Sequence, residues 1–541
     1  MDNTNNNQKD SNTNNTNQTN TNNNNQQNNT NNSNQKQNQN HNQKHKKPFV
    51  KRERKLGPPP CTIKINDYTW EIPTSFKEGM RVPARIIASK ELIDAMDEGV
   101  FNQITNVATL PGITKYAYCM PDGHWGYGFP IGGVAAFDIN KGGIISPGGI
   151  GFDINCGMRL LTTNLTIDEV QPKIKELVDA LYLKVPAGVG CKGFVKITKE
   201  EFKEVMVKGA SWCIENGYGK KEDLDMIESR GQLPQADSSK VSEKAIKRGF
   251  NQIGTLGSGN HYLEIQVVKK ENVFDWDAAK AMGIEKDGQI VVMFHCGSRG
   301  FGHQIGTDYL RKFLDVMPKY NINILDRELA CAPFKSPEGQ DYYAAMACAA
   351  NMAFANRQVI THRIREVFER VFEKTQEELK IDLVYDVAHN IAKLEKYTID
   401  GEEKELLVHR KGATRAFGPN RADELPDKYK KIGQPVIIGG SMETGSYLLV
   451  GTNEADQTFA STAHGAGRTM SRSAAKREIK GEELQKDMEK RGIYVHAVTM
   501  KGLAEEAGKA YKDINVVVDS LKGRGITKPV VALKPIGNVK G

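Results

Sequence analysis

Residues 121–157 read PDGHWGYGFPIGGVAAFDINKGGIISPGGIGFDINCG. Glycine at this density predicts short strands joined by tight turns rather than helix. Upstream, CTIKINDYTWEIP (61–73) alternates apolar and polar residues and predicts a strand or hairpin, while 87–110 has helical spacing. Downstream, 197–217 and 240–251 predict helices, and NHYLEIQVV (260–268) and IVVMFHCG (290–297) predict apolar strands. The longest helix signal runs over 342–374, with Ile360, Ile364, Val367, Phe368, Val371 and Phe372 in one stripe. Then follow LVYDVAHN (383–390), a hairpin over 394–412, the strands VIIGG and YLLVG, and helices toward the end. Strands and helices are interspersed without regular βαβ alternation or internal repeat. The expected fold class is α+β: a single large domain of mixed sheets and helices over residues 61–541.

The chain has 541 residues, 38% of them apolar, and a formal net charge of +8. Both averages mix unlike segments. Residues 1–47 are Asn/Gln-rich low-complexity sequence whose only apolar residue is Met1, and they predict a disordered tail. Residues 48–60 form a basic, Pro-rich linker closing on Gly57-Pro58-Pro59-Pro60. Lys44, Lys46, Lys47, Lys51, Arg52, Arg54 and Lys55 face the single acid Glu53, so most of the net charge sits in residues 44–55 and the body is nearly neutral. That arm suits a nuclear-localisation signal, an RNA contact or a plain solvated linker.

The N-terminus lacks the apolar core of a secretory signal and the Arg-rich character of a transit peptide. No apolar run reaches the roughly 18 residues of a membrane span. Eight cysteines without a CxxC pair exclude a disulfide scaffold, a zinc ribbon and a thioredoxin-type motif. The chain reads as nuclear or cytosolic, with reduced thiols.

Five histidines share a setting, at the end of an apolar strand or in a Gly-rich turn: His124, His261, His295, His389 and His464. Such positions let a rigid scaffold converge ligands from distant parts of the chain. His362, His409 and His496 read as structural, and His303 fits either class. Asp153 and Cys156 in GFDINCG can present a carboxylate and a thiolate to one point, and a thiolate can bridge two cations. In HGAGR (464–468), Gly465, Ala466 and Gly467 let backbone N–H groups approach a phosphate, Arg468 can fork onto it, and a neutral His464 is a competent nucleophile. GGSMETGS (439–446) adds Ser441, Glu443 and Ser446 in a second Gly-rich turn. Arg299, Lys411, Arg415, Arg421, Arg468 and Arg472 are candidates for a local basic patch. The Lys-x-Asp-Gly signature of lysine-adenylate ligases is absent. The residues alone also suit a binuclear metallo-phosphohydrolase or nuclease, or an RNA-binding subunit acting through the basic arm.

MPDGHWGYGFPIGG, GIGFDINCGMR, GSGNHYLE, FHCGSRGFGH, AHN, HRKGATRA, GGSMETGSY, STAHGAGR and LKPIGNVKG together closely resemble the RtcB family of RNA ligases over about residues 61–541. The resemblance implies GTP- and manganese-dependent joining of an RNA 3′-phosphate, or a 2′,3′-cyclic phosphate, to a 5′-hydroxyl in tRNA splicing. His464 would carry GMP covalently. Asp153, Cys156 and His261 would bind one manganese, and Cys156, His295 and His389 a second. Asn260, His261, Tyr262, Leu263, Glu264, His389, Asn390, Gly439, Gly440, Ser441, Met442, Ser446, His464, Gly465, Ala466, Gly467 and Lys540 would line the GTP site. The resemblance further implies tRNA exon halves as substrate, a complex with a DEAD-box helicase, an archease-type activator, no membrane, and a nuclear and cytoplasmic location.

Overall fold

A computed structural model describes residues 55–541. The predicted tail and most of the predicted linker lie outside the described residues. Leu56 already bridges Asp97, and the Gly57 N–H donates to the Met96 carbonyl at 2.9 Å, so pairing with the body begins before Cys61.

Two large sheets carry the fold. The first has seven strands in the order Ile63–Asn66, Thr69–Ile72, Ala84–Ile87, Ile113–His124, Ile131–Asp138, Glu402–Lys411, Asn390–Ile399. The predicted 394–412 hairpin is its edge. It turns through Asp400 and Gly401, both at positive φ (54° and 85°), the two-residue turn whose twist matches a hairpin. The helical signal over 87–110 is split into Lys90–Ala95 and Glu98–Val107, each capped by the side chain before it, Ser89 and Asp97.

The second sheet has the path Leu383–Ala388, Gly157–Thr166, Gln289–Cys296, Tyr262–Val273, Thr527–Lys540, Ser446–Gly451, Pro435–Gly439, with Tyr494–Ala497 parallel to the end of Thr527–Lys540. Its register brings the chemistry to one end. Gly157 pairs with Ala388 and with Cys296, Tyr262 with His295 and with Lys540, and Gly439 with Ser446. The last strand is a difference from the helices expected at the end. Helices do occupy Arg472–Glu478, Gly481–Lys490 and Ile514–Arg524, but they are followed by a 14-residue strand deep in the sheet.

The predicted long helix is observed as Pro337–Phe372, started by Ser336, whose side chain accepts from Gly339 N–H, and by Pro337 in its first turn. Its apolar stripe packs on the second sheet with Phe294, Leu161 and Ile265. No helix among the described residues is long and apolar enough to cross a membrane.

Because Thr527–Lys540 pairs on both sides, with Tyr262–Val273 and Ser446–Gly451, removing residues 527–541 strips both neighbours of their ladder. The shortened chain is expected to lose its near-UV circular dichroism and its cooperative thermal transition. Retention of both would contradict this topology.

Candidate functional site

The five singled-out histidines meet. A cleft of about 580 Å³ is lined by His124, His295, His389 and His464, with Asp153, Cys156, Asn260, Tyr262, Asn390, Gly439, Gly440 and Gly465 to Arg468. His261 stands beside it, its Nε2 3.3 Å from Cys156 Sγ and 3.0 Å from Asp153 Oδ2. On the other side of the sulfur, His295 Nε2 lies 3.1 Å from Sγ and 3.1 Å from His389 Nε2. The donor atoms thus fall into two groups, Asp153–Cys156–His261 and Cys156–His295–His389, that share one sulfur.

The chemistry of these donors fits bound cations. The Nδ1–H of His295 donates to the Asn260 carbonyl at 3.0 Å, which leaves its Nε2 lone pair facing inward. Burial, together with the neighbouring imidazoles, holds His295 and His389 well below the usual histidine range, so both are neutral donors. Burial and the Asp153 carboxylate push the Cys156 thiol well up, and a cation on the sulfur reverses that preference. Arg299 Nη1 lies 3.1 Å from His261 Nδ1 and can only donate, so His261 Nε2 carries a proton toward Asp153; ligating a cation through Nε2 moves that proton to Nδ1 and displaces the Arg299 contact.

His464 sits at the end of the short ribbon formed by Ala413–Arg415 and Ser461–Ala463. Its Nδ1 is 2.6 Å from Asp122 Oδ2, and the same oxygen accepts the His464 backbone N–H at 3.1 Å. The carboxylate therefore fixes the tautomer that leaves Nε2 with its lone pair. Asp122, fully buried, was not singled out, although it stands two residues before His124 in the same motif. Gly467 has φ +78°, and a Cβ there would lie 2.2 Å from the Asp122 carbonyl, so the HGAGR loop closes over Asp122 only with glycine. His124 is half-buried; desolvation lowers it to about 4, and its Nδ1 faces the Asp122 carbonyl at 3.0 Å.

Behind the donors stands the long helix. Arg357 forks onto Asp386 at 2.7 and 2.9 Å, and its Nη1 donates to the carbonyls of Asn155 (2.8 Å) and Cys296 (3.0 Å). Each partner is within three residues of a donor: Cys156, His295 or His389. Asn356 Oδ1 accepts from Gly254 and Thr255 N–H, and its Nδ2 donates to Gly297 O, tying in the loop before His261. Arg159 Nε adds a 2.7 Å bond to Asp386, and its Nη1 one to Gln358. The 356–358 triplet lies inside a stretch read only for its apolar stripe.

Of the other expected nucleotide-site residues, Glu264, Ser446 and Lys540 gather behind Tyr262. Glu264 accepts from Asn538 and Gln266 at 2.7 Å each, Gln266 also reaches Ser446 Oγ, and Lys540 Nζ donates to the His261 carbonyl. Burial raises Glu264 to about 7. Ser441 Oγ is spent on the N–H groups of its own turn, and the Leu263 and Met442 side chains face separate apolar cores. Ala466 N–H is spent on the Gly439 carbonyl, and Arg468 is engaged by Glu506, Tyr511 and the Glu505 carbonyl instead of standing free for a phosphate.

The six basic candidates do not form one patch. Lys411 is buried on the Tyr127 and Gly148 carbonyls, and burial lowers it to about 7. Arg415 and Arg421 stack on Phe417, away from the cleft. Arg299 touches His261, and Arg468 and Arg472 line the cleft. His362 lies in the long helix, His409 accepts Ser146 N–H in the core, His496 stacks on Tyr182, and His303 stacks on Phe152.

A profile of the family described as "tRNA-splicing ligase RtcB" matches residues 103–541. The chain is 52% identical over 479 residues to the tRNA-splicing ligase RtcB of Archaeoglobus fulgidus, covering 88% of this chain and 98% of that protein. It is 53% identical to that of Methanococcus maripaludis (88% and 99% covered). It is 46% identical to RNA-splicing ligase RtcB homolog 1 of Entamoeba dispar (87% and 89% covered).

Two outcomes follow from the supports. Arg357→Met strands the buried Asp386 carboxylate beside Arg159 alone and is expected to cost about 3–5 kcal/mol, read as a lower urea midpoint. Glu228 accepts the Ala388 N–H next to His389. Burial works against its charge, but Lys393 and Arg415 lower it from 4.5 to about 2. Its contribution is complete above pH 4.5 and is lost as pH falls toward 2, so Glu228→Gln is expected to flatten acid unfolding across that window. An unchanged slope would rule this out.

Proposed function

The chain belongs to the RtcB family, and on that premise we propose that it is an RNA ligase of tRNA splicing. It joins an RNA 3′-phosphate, or a 2′,3′-cyclic phosphate after hydrolysis, to a 5′-hydroxyl, using GTP. The observation that carries this reading is a histidine with an oriented lone pair, His464 on Asp122, beside two donor groups sharing Cys156.

In this mechanism His464 Nε2 attacks the α-phosphorus of GTP, an N–P bond forms, and pyrophosphate leaves. Asp122 keeps the proton on Nδ1 and balances the positive charge the ring acquires. An oxygen of the RNA 3′-phosphate then attacks the same phosphorus and frees His464. Finally the 5′-hydroxyl attacks the terminal RNA phosphate and GMP departs, so the joining phosphate comes from the RNA. Tyr262, Glu264, Ser446 and Lys540 would receive the nucleotide, with the Gly439–Gly440 and Gly465–Gly467 backbones along the cleft. Two divalent cations, manganese by resemblance, held by the two donor groups, would neutralise phosphate charge at the attacking and leaving oxygens. The same reading takes tRNA exon halves as substrate, with a DEAD-box helicase and an archease-type activator as partners, in nucleus and cytoplasm.

Incubation with labelled GTP and manganese is expected to yield a covalent protein–GMP adduct. His464→Ala should abolish it, and a persistent adduct would refute the nucleophile. Asp122→Asn should slow adduct formation by about 10²- to 10⁴-fold through the wrong tautomer. Cys156→Ala should lose both ions together on metal analysis, and retention of one would refute the shared sulfur. Deleting residues 1–54 should leave ligation of short RNA intact.

A further inference from the structure

We propose that Trp125 is a stacking platform for the nucleobase of an RNA end entering the His464 cleft. The inference rests on the ligase reading above and names a subsite within it.

Ten large apolar side chains are exposed among the described residues, and of these only Trp125 lines the cleft, with 63% of its surface open. An exposed apolar residue alone means little; the way this one is mounted distinguishes it. Its backbone is fixed on both sides. The preceding His124 is half-buried, its Nδ1 turned onto the Asp122 carbonyl. The following Gly126 is held by a reciprocal pair with the Gln103 side chain, its N–H donating at 3.0 Å and its carbonyl accepting at 2.8 Å. The ring itself lies on the first turn of helix Glu98–Val107. A Cβ on Gly99 would stand 2.1 Å from Cε3 and Cζ3 of the indole, so glycine is what leaves room for that edge of the ring.

One part of the indole is thus seated and the rest is left open, an arrangement that is costly in water unless something covers it. The cleft it borders also holds Ser471, which caps the helix Arg472–Glu478, and Arg472, whose Nε lies 3.4 Å from Glu506 while half of its side chain stays exposed as a cationic margin for a phosphodiester. An aromatic face beside a basic margin is the recognition chemistry of single-stranded nucleic acid, in which bases stack without regard to sequence. The platform belongs to the segment that supplies Asp122, so a stacked base is indexed directly to the histidine that the same segment orients. Glu264 and Lys540, a buried polar pair among the residues expected to line the GTP site, belong to the strands Tyr262–Val273 and Thr527–Lys540 of the second sheet. Trp125 instead follows the strand Ile113–His124 of the first sheet, across the same cleft.

The experiment measures tryptophan emission and ligation kinetics on the full chain. The other three tryptophans, Trp70, Trp212 and Trp276, are buried or partly buried, so quenching on addition of a short single-stranded RNA should come from Trp125. Quenching is expected with 3′-phosphate RNA or with 5′-hydroxyl RNA, and should vanish when the terminal nucleotide of that strand is abasic. Trp125→Ala should raise the KM for that strand by about 5- to 150-fold, with Trp125→Phe recovering part of it. Gly99→Ala keeps the indole but displaces it, and should reproduce the KM effect. A wild-type KM for both RNA strands in Trp125→Ala would overturn the proposal while leaving the ligase reading standing. A rise confined to the KM for GTP would assign the platform to guanine and overturn it equally. Absence of any protein–GMP adduct in the wild type would instead strike the ligase reading, and the quenching arm would still decide whether RNA stacks on Trp125.

Discussion

The Arg357–Asp386 pair is the constraint on which the site depends. Two charges with no access to water are costly to bury, and attraction repays that cost only when the remaining donors and acceptors are also satisfied. Here they are satisfied by the very backbone that carries the site: Arg357 donates to Asn155 and Cys296, and Asp386 also accepts from Arg159. An uncompensated hub is intolerable, so the same network holds in place the strand ends that bring Cys156, His295 and His389 together. The donors are preorganised by a charge network one layer behind them.

His389 occupies a singular place in this arrangement. Leu383–Ala388 is an edge of the second sheet and Asn390–Ile399 an edge of the first, so this residue is the hinge point between the two. Its N–H donates to the Cys156 carbonyl at 2.9 Å and its carbonyl accepts from Ala413, which starts the ribbon leading to His464. Asn390 continues the link, donating to the Asp153 carbonyl and accepting from Gly412. Donor groups and nucleophile are thereby coupled through a few backbone bonds.

Much of this was legible in the chain. Histidines at the ends of apolar strands were the right signal for convergence, because strand ends at one edge of a sheet have few other places to point. The hairpin was marked by Asp400-Gly401, and the long helix by its stripe. What escaped reading has physical reasons. Thr527–Lys540 contains Pro535 and Gly537, residues that argue against a strand, and the register slips between them. Arg357 and Asn356 were hidden because periodicity weighs apolar residues and is silent about a polar run that is buried. Asp122 was overlooked beside the more conspicuous His124. The basic patch failed because counting cations cannot tell a solvated arginine from one stacked on Phe417.

The site is assembled from remote parts of the chain: Asp122 and His464 are 342 positions apart, and Cys156 and His261 are 105 apart. Closing such loops costs entropy that grows only logarithmically with length, so the distance is affordable at equilibrium. In time it is another matter, since non-local pairings form late. No folding intermediate that lacks either sheet can hold the cleft, and neither can a fragment cut between its members. The centre therefore reports on completion of both sheets: a chain that has it has paired the two.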